Sequence, residues 1–139
     1  MTTVPMPMPH ILSPISINAA SGLRIIVRDV VRNPLPLRFT MSKRPARIKR
    51  GSDGITAVFS PERLVFLVGG VAGDLPLKSL FDGTVSRLDF SVVHTPELQD
   101  AIFGIINCQY RGAAYSLSLQ AMVLYLMVEA FRQAEAGAQ

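Results

Sequence analysis

The sequence predicts an α+β fold: a small, mainly antiparallel sheet over about residues 22–93, with two C-terminal helices packed on it. Three observations point there. Short stretches in the first two-thirds alternate apolar and polar side chains, the period of a half-buried strand. The last third holds two helix-length segments without that alternation. The chain has 139 residues, 49% hydrophobic and 17% charged, which suits one folded domain and excludes disorder over most of its length.

Residues 1–20 are expected to form an extended apolar arm, followed by a single domain over 21–136. Prolines 5, 7, 9 and 14 remove backbone donors and bias the residues before them towards extended geometry. Yet Val4, Met6, Met8, Ile11, Leu12, Ile15 and Ile17 make the arm apolar, so it should lie on a surface, its own or a neighbour's.

Residues 21–33 fit two templates. Helical spacing groups Leu23, Ile26, Val27, Val30 and Val31 and lines up Arg24, Arg28 and Arg32 on another face; strand alternation puts Leu23, Ile25, Val27 and Val31 on one side and the three arginines on the other. The Ile and Val content favours the strand. Leu35, Leu37, Phe39 and Met41 then alternate with Pro36, Arg38, Thr40 and Ser42, and Pro36 implies an edge or a strand start. A turn at Gly51–Gly54 precedes a short strand over 55–59.

Ser60-Pro61-Glu62 places a cap residue, a proline at the first helical position and an acid in the first turn. Leu64–Val68 therefore fits a short helix, although a buried strand satisfies the same run. A helical turn over 76–81 and a strand within 84–93, with Leu88, Phe90 and Val92 inward, come next. Thr95-Pro96-Glu97 repeats the cap pattern and opens a helix over about 96–107. A second helix over about 116–134 is apolar on nearly every face, as for a helix buried all round.

The chemistry-bearing residues are sparse. His10 sits in the arm, His94 precedes a helix start, and the single Cys108 follows an apolar helix end; their spacing matches no metal site, and none is expected. One cysteine also excludes an internal disulfide. Glu62 and Glu97 serve helix starts, Asp53, Asp74 and Asp82 sit beside turn glycines, and Asp29 and Asp89 have arginines such as Arg28 and Arg87 within reach. Gly69, Gly70 and Gly73 are not followed by the Lys-Ser/Thr of a phosphate loop. No cofactor, small-molecule substrate or enzymatic activity is expected from this inventory.

The charge map is different. Between Leu23 and Arg50 stand nine cations (Arg24, Arg28, Arg32, Arg38, Lys43, Arg44, Arg47, Lys49 and Arg50) and one acid, Asp29; that stretch carries +8 and the rest of the chain −4. Like charges crowded together repel, so an unmixed stretch favours an anionic partner outside the molecule. No aromatic interleaves residues 43–50, which favours phosphate contact over base stacking, and anionic lipid headgroups supply the same charge.

These features together suggest a non-enzymatic assembly protein, with a viral matrix or other virion-associated protein as the concrete form. It should be a homo-oligomer that contacts nucleic acid or an anionic membrane through residues 24–50. Its expected self-contacts are Met6, Met8, Ile11 and Leu12 of the arm and Met122 and Leu126 of the last helix. The alternatives are a dimeric cellular nucleic-acid-binding regulator and, third, a small enzyme without a recognisable motif. No secretory signal is expected, because Met1–Leu12 lacks Lys and Arg and is broken by proline. The apolar run Leu117–Val128 falls short of the ~20 residues that span a bilayer, so a cytoplasmic or virion-associated protein is expected. The octapeptide 43–50 also fits the loose pattern of a nuclear import signal in a eukaryotic cell.

Overall fold

The computed structural model describes residues 15–28, 37–43, 54–74, 76–93 and 95–137. They form an α+β domain with one five-stranded sheet: β1 (Ile15–Ala20), β2 (Leu23–Arg28), β3 (Leu37–Ser42), β4 (Gly54–Phe59) and β5 (Arg87–Val92). The helices are α1 (Pro61–Val68), α2 (Leu77–Phe81), α3 (Pro96–Ile106) and α4 (Gly112–Gly137), with a 3-10 turn at Gly69–Val71 between α1 and α2.

The strand order is β1-β2-β4-β3-β5. Three of the neighbouring pairs are antiparallel, and β3 runs parallel to β4. Parallel neighbours cannot be joined by a tight hairpin; of the basic octapeptide 43–50, which follows β3 in sequence, only Lys43 is among the described residues. β3 is therefore interior, lying between β4 and β5, and Pro36 immediately precedes its first residue. The edge position that Pro36 implied for this strand does not hold, and Pro36 itself lies outside the described residues.

Two elements depart from the sequence reading. Ile15–Ala20, expected in the arm, is edge strand β1, antiparallel to β2. Ile15 and Ile17 alternate with Ser16 and Asn18, and Gly22 closes the hairpin at φ 78°, a conformation that glycine reaches without steric penalty. The stretch that fits both helix and strand is β2 through Arg28. The short apolar run after Ser60 is helix α1: the Ser60 hydroxyl accepts a hydrogen bond from the Arg63 amide at 3.1 Å and caps it. Thr95 does the same for α3 through the Leu98 amide, also at 3.1 Å.

The core lies between one face of the sheet and helices α3 and α4. Ile25, Val27, Phe39, Met41, Ile55 and Ala57 meet Leu98, Ile102, Ile105, Leu119, Val123 and Leu126 in one buried cluster. Burying each large side chain contributes about 1.5–3 kcal/mol. Helix α4 crosses the sheet from edge to edge and is tied at both ends. Near its start the Ser116 hydroxyl donates to the Ala19 carbonyl of β1 at 2.6 Å; near its end the Gln133 side chain accepts from the Val93 amide, just after β5, at 2.7 Å. Phe131 of α4 also stands edge-on to Phe90 of β5, with ring centroids 5.3 Å apart.

Helix α4 is not buried all round. Leu119, Val123, Leu126, Met127 and Ala130 face the core, while Leu117 and Val128 on the far side are 66% and 59% exposed. The helix also outruns the apolar run visible in sequence. Residues Gly112–Ala136 are long and apolar enough to cross a bilayer by length and composition. Five of those residues are nevertheless committed to the domain core, so insertion would require the sheet to give up its cover.

Candidate cationic face and groove

Strand registers place the arginines on the side of the sheet opposite α3 and α4. Side chains directly across paired strands share a face. Arg24 stands opposite Asn18 and Val58, and Ser42 follows between Val58 and Arg87. The next row runs Ser16, Ile26, Thr56, Thr40, Asp89, and the third contains Arg28 opposite Gly54, with Arg38 opposite Ser91. Because Phe39 pairs with Ile55, Arg38 stands next to Gly54 on its other side. Two strand spacings of ~4.8 Å therefore separate the Arg28 and Arg38 backbones, with a glycine between. That glycine is required: Gly54 has φ 137°, and a Cβ there would run into the Arg38 carbonyl oxygen.

The polar face carries four described arginines and one carboxylate. Asp89 is occupied. Arg87 Nε lies 3.1 Å from Asp89 Oδ2, and the Thr40 hydroxyl donates to Asp89 Oδ1 at 2.7 Å. Arg24 and Arg38 are exposed, and neither makes a side-chain hydrogen bond or ion pair with any described residue. The second half of the chain thus supplies an acid to Arg87 but none of the described acids to Arg24 or Arg38.

At the hairpin end of this face is an open groove of about 320 Å³, lined by Asn18, Ala20, Gly22, Leu23, Arg24, Lys43, Val58, Phe59 and Ser60. Its base is set by a close backbone approach. The Ser60 amide donates to the Gly22 carbonyl at 2.7 Å, and a Cβ on Gly22 would collide with the Ser60 hydroxyl. Among the described residues, two cations line the groove and no carboxylate does. Lys43 acts weakly on Asp82, lowering its pKa less than any other group that does so. Asp82 itself is held below the ordinary carboxylate range by the Thr84 hydroxyl, and then by the Thr84 amide at 2.8 Å.

Comparison with protein families, curated proteins and solved structures returned no match.

Of the nine cations singled out from sequence, Arg24, Arg28 and Arg38 share the polar face and Lys43 borders its groove. Arg32, Arg44, Arg47, Lys49 and Arg50 lie outside the described residues, as do Met6, Met8, Ile11, Leu12, His10 and His94. Met122 is half-buried; its side chain lies so close to Gly104 of α3 that a Cβ on that glycine would come within 2.9 Å of the methionine methyl. Leu126 is 1% exposed and belongs to the chain's own core, because its position on α4 is in phase with Leu119, Val123 and Ala130. Along the middle of α4, Leu117, Ala121 and Val128 are exposed and flank the half-buried Leu124, at positions i, i+4, i+7 and i+11. Cys108 is half-buried and packs against the core. Among the described residues, no group of three or more His, Cys, Asp and Glu side chains could hold a metal ion.

Sequence reading also missed Arg63. Its guanidinium donates to the Ser21 carbonyl at 2.8 Å and to Gln120 Oε1 at 3.4 Å, and lies over the Phe66 ring at 5.0 Å. It ties the β1–β2 hairpin to α1 and α4. Nothing in the local sequence signals a contact between residues so far apart in the chain.

Proposed function

We propose that this chain is a non-enzymatic assembly protein that self-associates and holds a polyanion, of the kind a virion uses as a matrix or nucleic-acid-associated layer. One observation carries the reading: the sheet arginines and an exposed apolar stripe of α4 occupy opposite sides of the domain. Arg24, Arg28 and Arg38 stand on the open side of the sheet, while Leu117 and Val128 project from the far side of the helix that covers its other face. A domain arranged this way can hold a second copy with one side and keep the other free for phosphate. Ala121, small and central in the outward stripe, lets two such helices approach closely, which favours a second copy of α4 as the occupant.

Nucleic acid is favoured over a bilayer as the anion. The described face mixes cations with Ser16, Asn18, Thr56 and Ser91, and among its described strand residues no aromatic protrudes to enter an acyl layer. Contact through phosphates gives affinity with little sequence preference.

The test is the particle mass of the purified protein together with what copurifies. An assembly larger than the monomer is expected, with nucleic acid bound at low salt and released at high salt. Replacing Leu117 and Val128 by serine should lower the mass without unfolding the domain. A strict monomer at high concentration that retains no polyanion overturns the reading; a stable dimer that selects particular sequences points instead to a regulator.

A further inference from the structure

We propose that the groove between the β1–β2 hairpin and the start of α1 seats one phosphate of a nucleic-acid backbone, held between Arg24 and Lys43. The inference rests on the polyanion reading above and assigns it a place and a chemistry.

The donors converge there. Arg24, on β2, and Lys43, one residue past β3, approach the groove from different strands, and no described acid shares its lining. Neither cation makes a side-chain hydrogen bond or ion pair with another described residue. Asn18 adds an exposed carboxamide. The Ser60 oxygen accepts the Arg63 amide hydrogen, which leaves the hydroxyl proton to donate outward. Two charges and two neutral donors around a recess suit a phosphate's several acceptor oxygens.

The size and the walls select the part of the polymer. At about 320 Å³ the groove is at the small end of ligand sites, which run about 300–1,000 Å³. Phe59 lines it but is fully buried, so no ring face is offered to a base. Binding there should therefore be indifferent to sequence. The recess also separates a strand from a membrane. A flexible strand can dip into a groove, whereas a bilayer meets the most protruding atoms.

The test measures binding of a short single-stranded oligothymidylate by the full chain at several salt concentrations, with inorganic phosphate and phosphatidylserine vesicles as further probes. Arg24→Gln with Lys43→Gln should lower the salt slope by about 1.4, which corresponds to roughly 25-fold weaker binding at 0.1 M salt when 1 M is the reference. Asn18→Asp, which keeps both cations and adds an acid to an exposed edge strand, should also weaken binding. Lys78→Gln and Arg111→Gln, outside the groove, should leave the oligothymidylate affinity close to that of the wild type. Thermal midpoints matching the wild type show that each variant folds. If the double variant binds with wild-type slope, the groove assignment is wrong while the polyanion reading stands. If the wild type ignores the oligomer at low salt, or binds only the vesicles, both fall. If the control variants lose as much as the double variant, the attraction is diffuse and the groove is no site.

Discussion

Along β2 the same six residues serve two environments. Leu23, Ile25 and Val27 are buried under α3 and α4, whereas Arg24, between two of them, is exposed on the opposite face with no described partner. The rows continue across the sheet. Val27, Ile55, Phe39 and Phe90 form one apolar line, and Thr56, Thr40 and Asp89, continuing from Ile26, form a more polar line one residue out of step. The apolar side holds the fold together; the other side is free to carry charge because stability asks little of it. A one-residue slip of any strand would exchange the two, which is why register here is also a functional property.

The sharpest way to break this comparison is to change neighbours on opposite faces. Phe39 is fully buried and its ring lies 6.3 Å from that of Phe90. Phe39→Ala should cost about 3–5 kcal/mol, near the whole stability of a small domain, read from the urea midpoint. Arg38→Gln, the adjacent residue, should shift stability by less than about 0.5 kcal/mol and instead lower the salt slope of oligonucleotide binding by about 0.7. Comparable stability losses in the two variants would mean that the polar face is structural.

Much of this division was legible in the sequence. Strict alternation identified β3 and β5 and their inward residues, and the Ser60-Pro61-Glu62 and Thr95-Pro96-Glu97 triplets marked the starts of α1 and α3. These signals are local, so one sequence holds them. The role of Ile15–Ala20 was hidden because its neighbours are proline-rich, although its own alternation was present. The outward and inward sides of α4 were hidden for another reason. A helix apolar all round has no periodicity to say which side meets the sheet, so Leu126 and Leu117 look alike until the sheet is in place. The groove was beyond reach of sequence, since Asn18, Arg24, Lys43 and Ser60 converge only through the β1-β2-β4-β3 order.

A smaller effect sharpens the comparison from within the polar face. Thr40 is 7% exposed, and its hydroxyl is committed to Asp89. Thr40→Val keeps the shape and removes that bond, while Asp89 retains Arg87 and solvent. The expected cost is about 1 kcal/mol, with an unchanged urea m-value. Oligonucleotide affinity should not move, because Thr40 and Asp89 already satisfy each other. A large loss of affinity would show that this pair belongs to the binding surface.

The smallest expected effect lies at the far end of α4, where the helix is tied to β5. Glu129 accepts from Arg132 at 2.8 Å and from Gln133 at 3.3 Å, and Gln133 in turn holds the Val93 backbone. Chiefly through the Arg132 hydrogen bond, and against the opposing pull of burial, the Glu129 carboxyl is held below its ordinary range. A carboxyl whose folded value is depressed stabilises the fold above its unfolded value, about pH 4.3, and that contribution disappears as pH falls through the folded value. Glu129→Gln should therefore melt below the wild type at pH 7, and the gap should close on acidification below the carboxylate range. A gap that persists unchanged into acid would mean that shape, not charge, ties α4 to β5. The long helix would then be fastened at this end by packing and by the Gln133–Val93 hydrogen bonds, without help from the Glu129 charge.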